Sequence, residues 1–485
     1  MINKKLIQLE INKALESFKK AEYQDAIHIL KNIEEQNSHF IISWYLGHSY
    51  FRIYDYISAI KYIKKSIELK GFDELNQSFL GEVLLESNQY EESIKVFNNV
   101  LKINKKNTNA LFNLAKIYSD LGKFKVSEDY YNKIIEDEPK NFKAMYELIK
   151  INKKYLESNT IKNIKNFKDQ NNLNDIYASF VLAEKDKKEK NYQNELNNLL
   201  KGHNDYLKTK KKASTQEFNY FNNLLPKFSQ KVKDVNIKLS CTYRPIFIMG
   251  LPRSGTTMIE NLITNSNGKI TRGDETGVMG KVFYSKQIIT NYDHNNLNSN
   301  FNFDKKSFTK LKKSIFEQYQ QIGIDISKGF FTDKSLENFL YIDILNKVFP
   351  NAKFVYCKRN NIANLLGILK VFLPNLLWCH SLERIIIFIE LYKNKLNEIL
   401  SNKLINIKII DLEDFSNDPL NNSKDLFKFL GIKWTNDVLN VNSNQQPIIK
   451  TVSNIQVRSK IKKHDLSYIK NYTPFLKEYK LNRLV

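Results

Sequence analysis

Hydrophobic and small side chains recur at a fixed interval through the first 155 residues. Small residues follow one another every 34 positions: Gly47, Gly81 and Ala115. Larger residues keep the same interval three positions later: Tyr50, Leu84 and Tyr118. A second set of pairs recurs every 33 or 34 positions: Tyr23/Ala26, Tyr56/Ala59, Tyr90/Ser93 and Phe124/Ser127. This pattern predicts two amphipathic helices per unit, with small residues where the helix backbones approach closely.

The repeated unit resembles the tetratricopeptide repeat, with its W-x-x-L-G-x-x-Y and A-x-x-x-F character. The resemblance is strong over about residues 7–155, and a weaker unit follows over Asp175–Lys208. We therefore predict a helical solenoid domain over residues 1–210, degenerate towards its end. The resemblance implies a concave groove that binds a peptide or a protein partner, because a repeat array by itself carries no chemistry.

The second half of the sequence opens with a different pattern. Pro245–Met249 is a short apolar run typical of a buried strand, and the helical run Met258–Leu262 follows a loop. Gly250 and Gly255 bound that loop with the G-x-x-x-x-G spacing of a phosphate-binding loop. A loop between a strand and a helix aims backbone N–H groups and a helix N-terminus at an anion. We therefore predict a phosphate site in this loop.

The loop differs from that of a nucleotidase in one residue. Thr256 stands where a nucleotidase carries the lysine that reaches the β- and γ-phosphates, and the cation of this loop is Arg253. The difference argues against hydrolysis of ATP or GTP and favours a donor with one phosphate and a short charged group. A nucleotide kinase remains an alternative, in which Ile407–Asp411 would be a strand that carries Asp411 to magnesium.

The segment PIFIMGLPRSGTTMIE is similar to the 5′-phosphosulfate loop of sulfotransferases that use 3′-phosphoadenosine 5′-phosphosulfate (PAPS). Its P-R-S-G-T-T form resembles the bacterial tetratricopeptide-repeat sulfotransferases and the related tyrosylprotein sulfotransferases. The resemblance implies an α/β domain with a central parallel sheet over residues 240–485. It also implies PAPS as co-substrate, no metal, and a set of donor-binding residues in the loop: Arg253, Ser254, Gly255, Thr256 and Thr257.

Four downstream segments match motifs of that family in the required order. Thr271–Glu275 resembles its G-x-G-E segment, Thr332–Asn338 its T-D-K-x-P-x-N segment, and Phe349–Arg359 its F-P-x-A strand. Thr451–Arg458 resembles T-x-S-x-x-Q-V-R, which covers the nucleotide. The resemblance implies four catalytic residues: Arg253, Glu275 as general base, Lys334 and Ser453. It implies further nucleotide contacts from Arg359, the position of Gly367, Ser453, Gln456, Val457 and Arg458.

The match fails at the segment that follows the family's arginine. Asp, Pro, a second Asp and a Ser of the family are replaced by Asn360, Asn361, Ala363 and Gly367, and a tyrosine by Leu412. The lost serine hydroxyl is one of two groups that grip the 3′-phosphate. One hydrogen bond to a charged group contributes about 1.5–3 kcal/mol, so donor affinity is expected to fall about tenfold to a hundredfold.

Composition bears on the kind of ligand and on whether the protein contains disulfides or zinc. Lys and Arg number 75 against 52 Asp and Glu, and the net charge of +23 favours an anionic ligand. Lysine and asparagine are overused throughout, which is typical of a solvated surface, so no specific nucleic acid is predicted. Cys241, Cys357 and Cys379 lie in no CxxC or Cys/His cluster and predict neither a disulfide framework nor zinc.

Location and function follow from these patterns as expectations. Unpaired cysteines fit a reducing compartment, and the longest apolar stretches fall short of the ~20 residues of a membrane-spanning helix; we expect a cytoplasmic protein without a membrane span. The predicted activity is transfer of a sulfuryl group from PAPS to a hydroxyl on a protein tyrosine or a glycan, with repeats that bind a protein. The alternative is a catalytically weakened scaffold that keeps the nucleotide-binding fold.

Overall fold

The computed structural model describes residues 2–36, 38–162, 164, 173–266, 270–290, 297–326, 329–402, 405–439, 448–479 and 481. They form two compact units. The first unit comprises residues 1–119, 278–288 and 311–325, and the second comprises residues 120–277, 289–310 and 326–485. Both units therefore draw on residues that are distant in the sequence.

The described part of the chain up to Lys233 is helical. Its α-helices are α1 (Ile2–Lys19), α2 (Tyr23–Gln36), α3 (Phe40–Arg52), α4 (Tyr56–Lys70), α5 (Glu74–Glu86), α6 (Tyr90–Ile103), α7 (Thr108–Asp120), α8 (Phe124–Asp137), α9 (Phe142–Ile151), α10 (Asn159–Lys162), α11 (Leu173–Lys188), α12 (Tyr192–Thr209), α13 (Lys211–Asn219) and α14 (Leu225–Lys233). A 3₁₀ turn at Lys153–Glu157 and a π-helical turn at Tyr220–Leu224 connect neighbouring helices. The weak repeat expected over Asp175–Lys208 corresponds to α11 and α12.

The rest of the chain alternates strands and helices. Its strands are β1 (Arg244–Met249), β2 (Phe330–Asp333), β3 (Lys353–Lys358) and β4 (Ile407–Asp411). Its α-helices are α15 (Thr256–Thr264), α16 (Val278–Ser285), α17 (Lys305–Gln321), α18 (Ile342–Val348), α19 (Asn361–Leu369), α20 (Leu382–Asn402), α21 (Leu412–Asn417), α22 (Pro419–Leu430), α23 (Asn454–Val457) and α24 (Thr473–Glu478). Short 3₁₀ turns follow β2 at Leu336–Phe339 and precede α20 at Leu377–His380.

The repeated small residues bring the helices of the first unit into contact. A Cβ added at Gly47 on α3 would lie 2.5 Å from Cγ1 of Ile63 on α4. At Gly81 on α5 the added Cβ would lie 2.6 Å from the Phe97 ring on α6. Ile63 and Phe97 are fully buried. Two of the positions at the interval of 34 residues, Gly47 and Gly81, therefore mark points where paired helices pack too closely for a larger side chain.

Two segments from the second half of the sequence belong to the first unit. The Gln318 side chain of α17 donates to the carbonyl of Tyr54 at 3.1 Å, and the Asn88 amide donates to the carbonyl of Ile322 at 2.7 Å. On α16, Lys281 Nζ lies 5.6 Å from the centre of the Tyr54 ring. These contacts make α16 and most of α17 part of the packing around the repeated helices.

The second unit is built on a four-stranded parallel sheet with the strand order β2-β1-β3-β4. Ile246 and Ile248 of β1 pack with Val355 and Cys357 of β3 in one buried cluster, which α15 covers. On the other face the rings of Phe247 and Phe354 stack at 5.5 Å. The central strand β1 is covered on both faces, and its residues Pro245–Met249 form a continuous apolar run. All four carboxyl ends lie at one edge, where open α/β sheets bind ligands.

The predicted fold class, helical repeats followed by an α/β domain with a central parallel sheet, is confirmed. The predicted domain limits, 1–210 and 240–485, stay a prediction, since the compact units divide the chain at residue 119 and at both ends of the two inserted segments. In the described ranges, no helix combines the length and the apolar character needed to cross a bilayer.

Candidate active site

The loop after β1 has the backbone of a phosphate cradle. Gly250 has φ +151°, and a Cβ added there would lie 2.3 Å from the carbonyl oxygen of Cys357 on β3, so the position requires glycine. Arg253 has φ +69°, a left-handed conformation that non-glycine residues rarely adopt. Gly255 precedes the nine-residue helix α15. Strained backbone held by close neighbours is typical of binding sites.

The Arg253 guanidinium is held by neutral groups. Its Nη1 donates to Ser453 Oγ and its Nη2 donates to Gln456 Oε1 at 2.7 Å. Burial, and next the neighbouring Arg359, lower the pKa of Arg253 to about 10. Among the described residues, no carboxylate forms an ion pair with Arg253. A cation that is partly buried beside a second cation is a site for an anion.

Arg359 and helix α19 support the loop from behind. Arg359 Nη1 donates to the carbonyl of Arg253 at 3.2 Å, and Arg359 Nε lies 3.5 Å from Glu413 Oε1. The Asn364 amide of α19 donates to the carbonyl of Pro252 at 2.6 Å. Asn360 caps α19 by accepting from the backbone N–H groups of residues 362 and 363. Asparagine thus retains the capping role at a position where the related family carries aspartate.

Gly367 lies against both arginines. A Cβ added at this position would lie 3.2 Å from Arg253 Cβ and 3.4 Å from Arg359 Nη1. The position is therefore next to the predicted phosphate-binding cations, as the sequence match implies. Because glycine has no side chain, the Arg253 side chain can pack directly against the backbone of residue 367.

A cavity of about 440 Å³ opens in front of the loop. It is lined by most of the predicted donor-binding residues: Arg253, Gly255, Thr256, Thr257, Arg359, Ser453, Gln456, Val457 and Arg458. Lys460, Lys462, Lys463 and His464 line the same space. The described lining contains six lysines and arginines and no carboxylate, so the cavity suits a ligand with several negative charges.

The loop hydroxyls are buried next to this cavity. Ser254 is 2% exposed, and its Oγ has no hydrogen-bond partner in the described part of the chain. Thr257 Oγ1 lies 3.2 Å from Thr451 Oγ1, which joins α15 to the segment that carries Ser453. A buried hydroxyl without a partner carries a desolvation cost that a ligand acceptor would offset.

Glu275 and Lys334 form a second cluster at the end of β2. Lys334 is fully buried, and its Nζ lies 2.7 Å from Glu275 Oε1 and 3.2 Å from Asp274 Oδ1. Burial opposes the charge of Lys334, but Glu275, Asp274 and Glu260 together raise its pKa above the ordinary value of a lysine. The Glu275 side chain is 46% exposed, so one carboxylate of the cluster faces solvent.

The site residues predicted from the sequence thus fall into two groups. Neither Glu275 nor Lys334 is among the described residues that line the cavity at Arg253. Asp274 links the cluster of Glu275 and Lys334 to the segment that lines the cavity, because its Oδ2 accepts from the backbone N–H of Lys450, next to Thr451. Sequence reasoning missed Asp274 and Asn364. The sequence could have indicated Asp274, because it is an acidic residue directly before Glu275, the predicted base.

The magnesium role considered for Asp411 competes with a structural one. Asp411 Oδ1 accepts from the backbone N–H groups of Glu413 and Asp414, both at 3.1 Å, and so caps α21. Its Oδ2 lies 3.2 Å from Lys358 Nζ. Within the described ranges, no group of three or more His, Cys, Asp or Glu side chains is arranged to hold a metal ion.

Comparison with known proteins gives one curated relative and several solved structures of low similarity. An uncharacterized protein of Aquifex aeolicus (strain VF5) is 24% identical over 246 residues, which are 48% of this chain and 31% of the relative. The chain therefore spans about a third of that relative's length. The sulfotransferase domain of the Synechococcus PCC 7002 olefin synthase is 16% identical, with a TM-score of 0.29, over 49% of this chain and 97% of that domain. The fragment of MamA from residue 41 to its end, of Desulfovibrio magneticus RS-1, is 18% identical, with a TM-score of 0.29, over 30% of this chain and 84% of that fragment.

Family models give the assignment that these pairwise similarities leave open. A TPR repeat model matches residues 81–122, and a tetratricopeptide repeat model matches residues 108–141. A model described as Sulfotransferase family matches residues 245–436, from β1 to beyond α22. Residues 81–141 therefore match tetratricopeptide repeats, and residues 245–436 match a sulfotransferase-family domain.

Proposed function

We propose that this protein transfers a sulfuryl group from PAPS to a hydroxyl of an acceptor molecule. The observation that carries the proposal is Arg253, a partly buried cation in a phosphate-type loop whose side-chain partners, Ser453 and Gln456, are neutral. An anionic ligand would supply the missing counter-charge. The sulfotransferase-family domain makes a sulfonate donor the appropriate anion.

The residues around the loop fit such a donor. The unpartnered Ser254 Oγ and the backbone N–H groups at the start of α15, Thr256 and Thr257, would hold the 5′-phosphate. Arg359 lies beside the same loop and would hold the 3′-phosphate. The close approach of Gly250 to β3 keeps the loop backbone tight against the sheet, as a cradle for phosphate oxygens requires.

Three side chains would carry the chemistry. PAPS, when bound, would supply a sulfuryl group on a phosphosulfate anhydride whose bridging oxygen gains charge as its bond to sulfur breaks. Arg253, assisted by Ser453, would neutralise that charge, and Lys334 would stabilise the sulfuryl oxygens. Glu275 would accept the proton of the acceptor hydroxyl, because its carboxylate is partly exposed and is held in place by its pair with Lys334.

The acceptor and its delivery are part of the proposal. A protein tyrosine or a glycan hydroxyl is the acceptor class that we propose, and the repeats would bind the protein that carries it. The helical repeats support this role because they offer a surface with no chemistry of their own.

Donor binding and transfer test the proposal directly. We expect 3′-phosphoadenosine 5′-phosphate (PAP), the product, to bind the purified protein in calorimetry, and labelled sulfate to move from PAPS to peptide or glycan acceptors. Binding should weaken as salt is added, because the cavity is lined by cations. Absence of PAP binding at millimolar concentration would overturn the proposal.

Restoring the family's serine is expected not to restore tighter binding. In Gly367→Ser the new Cβ would lie 3.2 Å from Arg253 Cβ, which the left-handed backbone and the Asn364 contact keep in place. Overpacking of this kind costs about 1–3 kcal/mol, so urea unfolding should show lower stability and calorimetry weaker PAP binding. Gly280→Ser is the control, since an added Cβ at that exposed helix position meets nothing within 4 Å. Tighter PAP binding by Gly367→Ser would contradict this expectation.

A second candidate function is a scaffold that binds partners through its repeats. The observation that favours it is the absence of a hydroxyl at Gly367, where the family grips the 3′-phosphate. A scaffold of this kind would bind its partner whether or not Arg253 is intact, and it would show no turnover. The Arg253 variant described in the Discussion separates the two functions.

A further inference from the structure

Asp274 lies at the centre of the contacts between the predicted base, the buried lysine and the segment that carries Ser453. Its side chain is almost fully buried, and its φ of +60° is left-handed. A non-glycine residue in that conformation carries a local strain of about 1–3 kcal/mol. The surrounding contacts must hold it there.

The two carboxylate oxygens of Asp274 have different partners. Oδ1 lies 3.2 Å from Lys334 Nζ and accepts from the backbone N–H of Glu275 at 2.9 Å. Oδ2 accepts from the backbone N–H of Lys450 at 3.1 Å. The Asp274 carboxylate therefore contacts three groups: the ammonium of Lys334, the backbone of Glu275 and the backbone of Lys450.

The backbone of Asp274 is fixed as well. Its N–H donates to Glu260 Oε1 at 2.9 Å, and its carbonyl accepts from the N–H of Lys334 at 2.9 Å. Glu260 is fully buried, pairs with Arg272 at 2.8 Å and accepts from Thr332 Oγ1 at 2.7 Å. The strained conformation is thus held by hydrogen bonds from α15 and from the end of β2.

The positive charge of Lys334 depends on the two carboxylates beside it. Lys334 is fully buried and has two carboxylates within 3.2 Å, Glu275 and Asp274. When a base at Glu275 accepts a proton it becomes neutral and no longer compensates the lysine. A buried ammonium without a counter-charge tends to lose its proton. Asp274 is the carboxylate of the pair that remains charged, because its oxygens are already engaged with Lys334 and two backbone donors.

We propose that Asp274 is a positioning residue that keeps Lys334 charged while Glu275 accepts the proton of the acceptor hydroxyl. Through the N–H of Lys450 it also ties this pair to the segment of Thr451 and Ser453. The inference rests on the proposed function for its catalytic meaning. In the step, the hydroxyl O–H bond breaks and its proton goes to Glu275. The hydroxyl oxygen forms the new bond to sulfur, and the electrons of the broken sulfur–oxygen bond remain on the phosphate of PAP.

The first test uses stability and needs no turnover. Glu275→Gln imitates the protonated base, and Asp274→Asn removes the remaining charge while asparagine tolerates the left-handed backbone. We expect the double variant to lose at least about 4 °C more in melting temperature than the sum of the two single variants, because only the double variant leaves Lys334 without a charged neighbour at hydrogen-bond distance. Additive losses would overturn the role of Asp274.

The second test uses the pH dependence of turnover. In Asp274→Asn we expect kcat to fall about tenfold to a hundredfold with PAP binding within about twofold of wild type, as removal of a nearby charge allows. The alkaline limit of kcat should move to lower pH, because Lys334 gives up its proton more readily once a neighbouring anion is gone. An unshifted limit, or an unchanged kcat, would also overturn the proposal.

Asp343→Asn is the matched control. Asp343 is a buried aspartate of α18 that pairs with Lys395 on α20 and with Lys233 on α14. This control should cost stability without moving the pH limit of kcat. Wild type that neither binds PAP nor transfers sulfate would refute the proposed function, whereas the melting temperatures of the Asp274 and Glu275 variants decide the charge-keeping role separately.

Discussion

Arg253→Ala should reduce sulfuryl transfer by about 10²–10³-fold, the loss that follows removal of one donor aimed at a developing negative charge. The same variant is expected to remain fully folded. Burial and the neighbouring Arg359 lower the pKa of Arg253, so its positive charge is unfavourable in the folded protein. Removing the charge relieves that cost, and the melting temperature should stay the same or rise. Loss of function without loss of stability is typical of a residue kept for binding.

Three measurements check this result: transfer of labelled sulfate from PAPS, calorimetric binding of PAP, and thermal unfolding. Arg244→Ala is the control, because Arg244 begins β1 and is exposed at the opposite end of the strand from the loop. A variant at Arg253 with wild-type transfer would contradict the mechanism. If wild type binds a partner and shows no transfer, and Arg253→Ala binds it equally well, the scaffold function is favoured instead.

Lys334→Met should destabilise the protein by about 3–5 kcal/mol, the range found when one partner of a buried ion pair is removed. Lys334 is fully buried beside Asp274 and Glu275, with Glu260 close by. Methionine fills a similar volume, so the loss is due to uncompensated carboxylates rather than to a cavity. Urea unfolding at pH 7 measures the difference. Lys125→Met is the control, since the Lys125 side chain is 76% exposed and its pair with Asp129 is worth less than about 1 kcal/mol.

The stability difference between wild type and Lys334→Met should depend on pH in a defined direction. Lys334 has a raised pKa, so its contribution is complete below the pKa of an unfolded lysine and is lost as pH rises through the folded value. Burial opposes the charge of Asp274, but Lys334 and Arg272 hold the pKa of Asp274 below its ordinary value, so that contribution is lost as pH falls through the lowered value. The difference should be largest at neutral pH and shrink towards acid. A loss equal at pH 3 and pH 7 would contradict the charge explanation.

The local part of the candidate site could be predicted from sequence. The structure of Pro245–Thr257 can be predicted locally, because an apolar strand, a glycine at φ +151° and the start of a helix all lie within this one segment. The same holds for Thr332–Asn338, whose lysine follows directly from the end of β2. In both cases the chemistry depends on residues close together in the chain, so a motif records it.

The rest of the site depends on contacts that no local pattern encodes. Asp274 and Lys450 are 176 positions apart, and their hydrogen bond exists only after the last segment folds over α15. Asn364 supports the carbonyl of Pro252 from 112 positions away. Gly367 is a different case: the sequence match implies that it lies at the donor site, which stays a prediction, and its packing against Arg253 depends on the strained loop and could not be deduced.

Because the first unit includes α16 and most of α17, the protein cannot be cut after the repeats without removing part of that unit. A fragment that stops near residue 210 would keep the repeats but lack the helices that supply Lys281, Gln318 and the carbonyl of Ile322 to them. Phe283 and Ile315, which are buried residues of the first unit, would be missing from the fragment. Gene fusions, domain exchanges and truncated expression products are therefore better designed with both inserted segments retained.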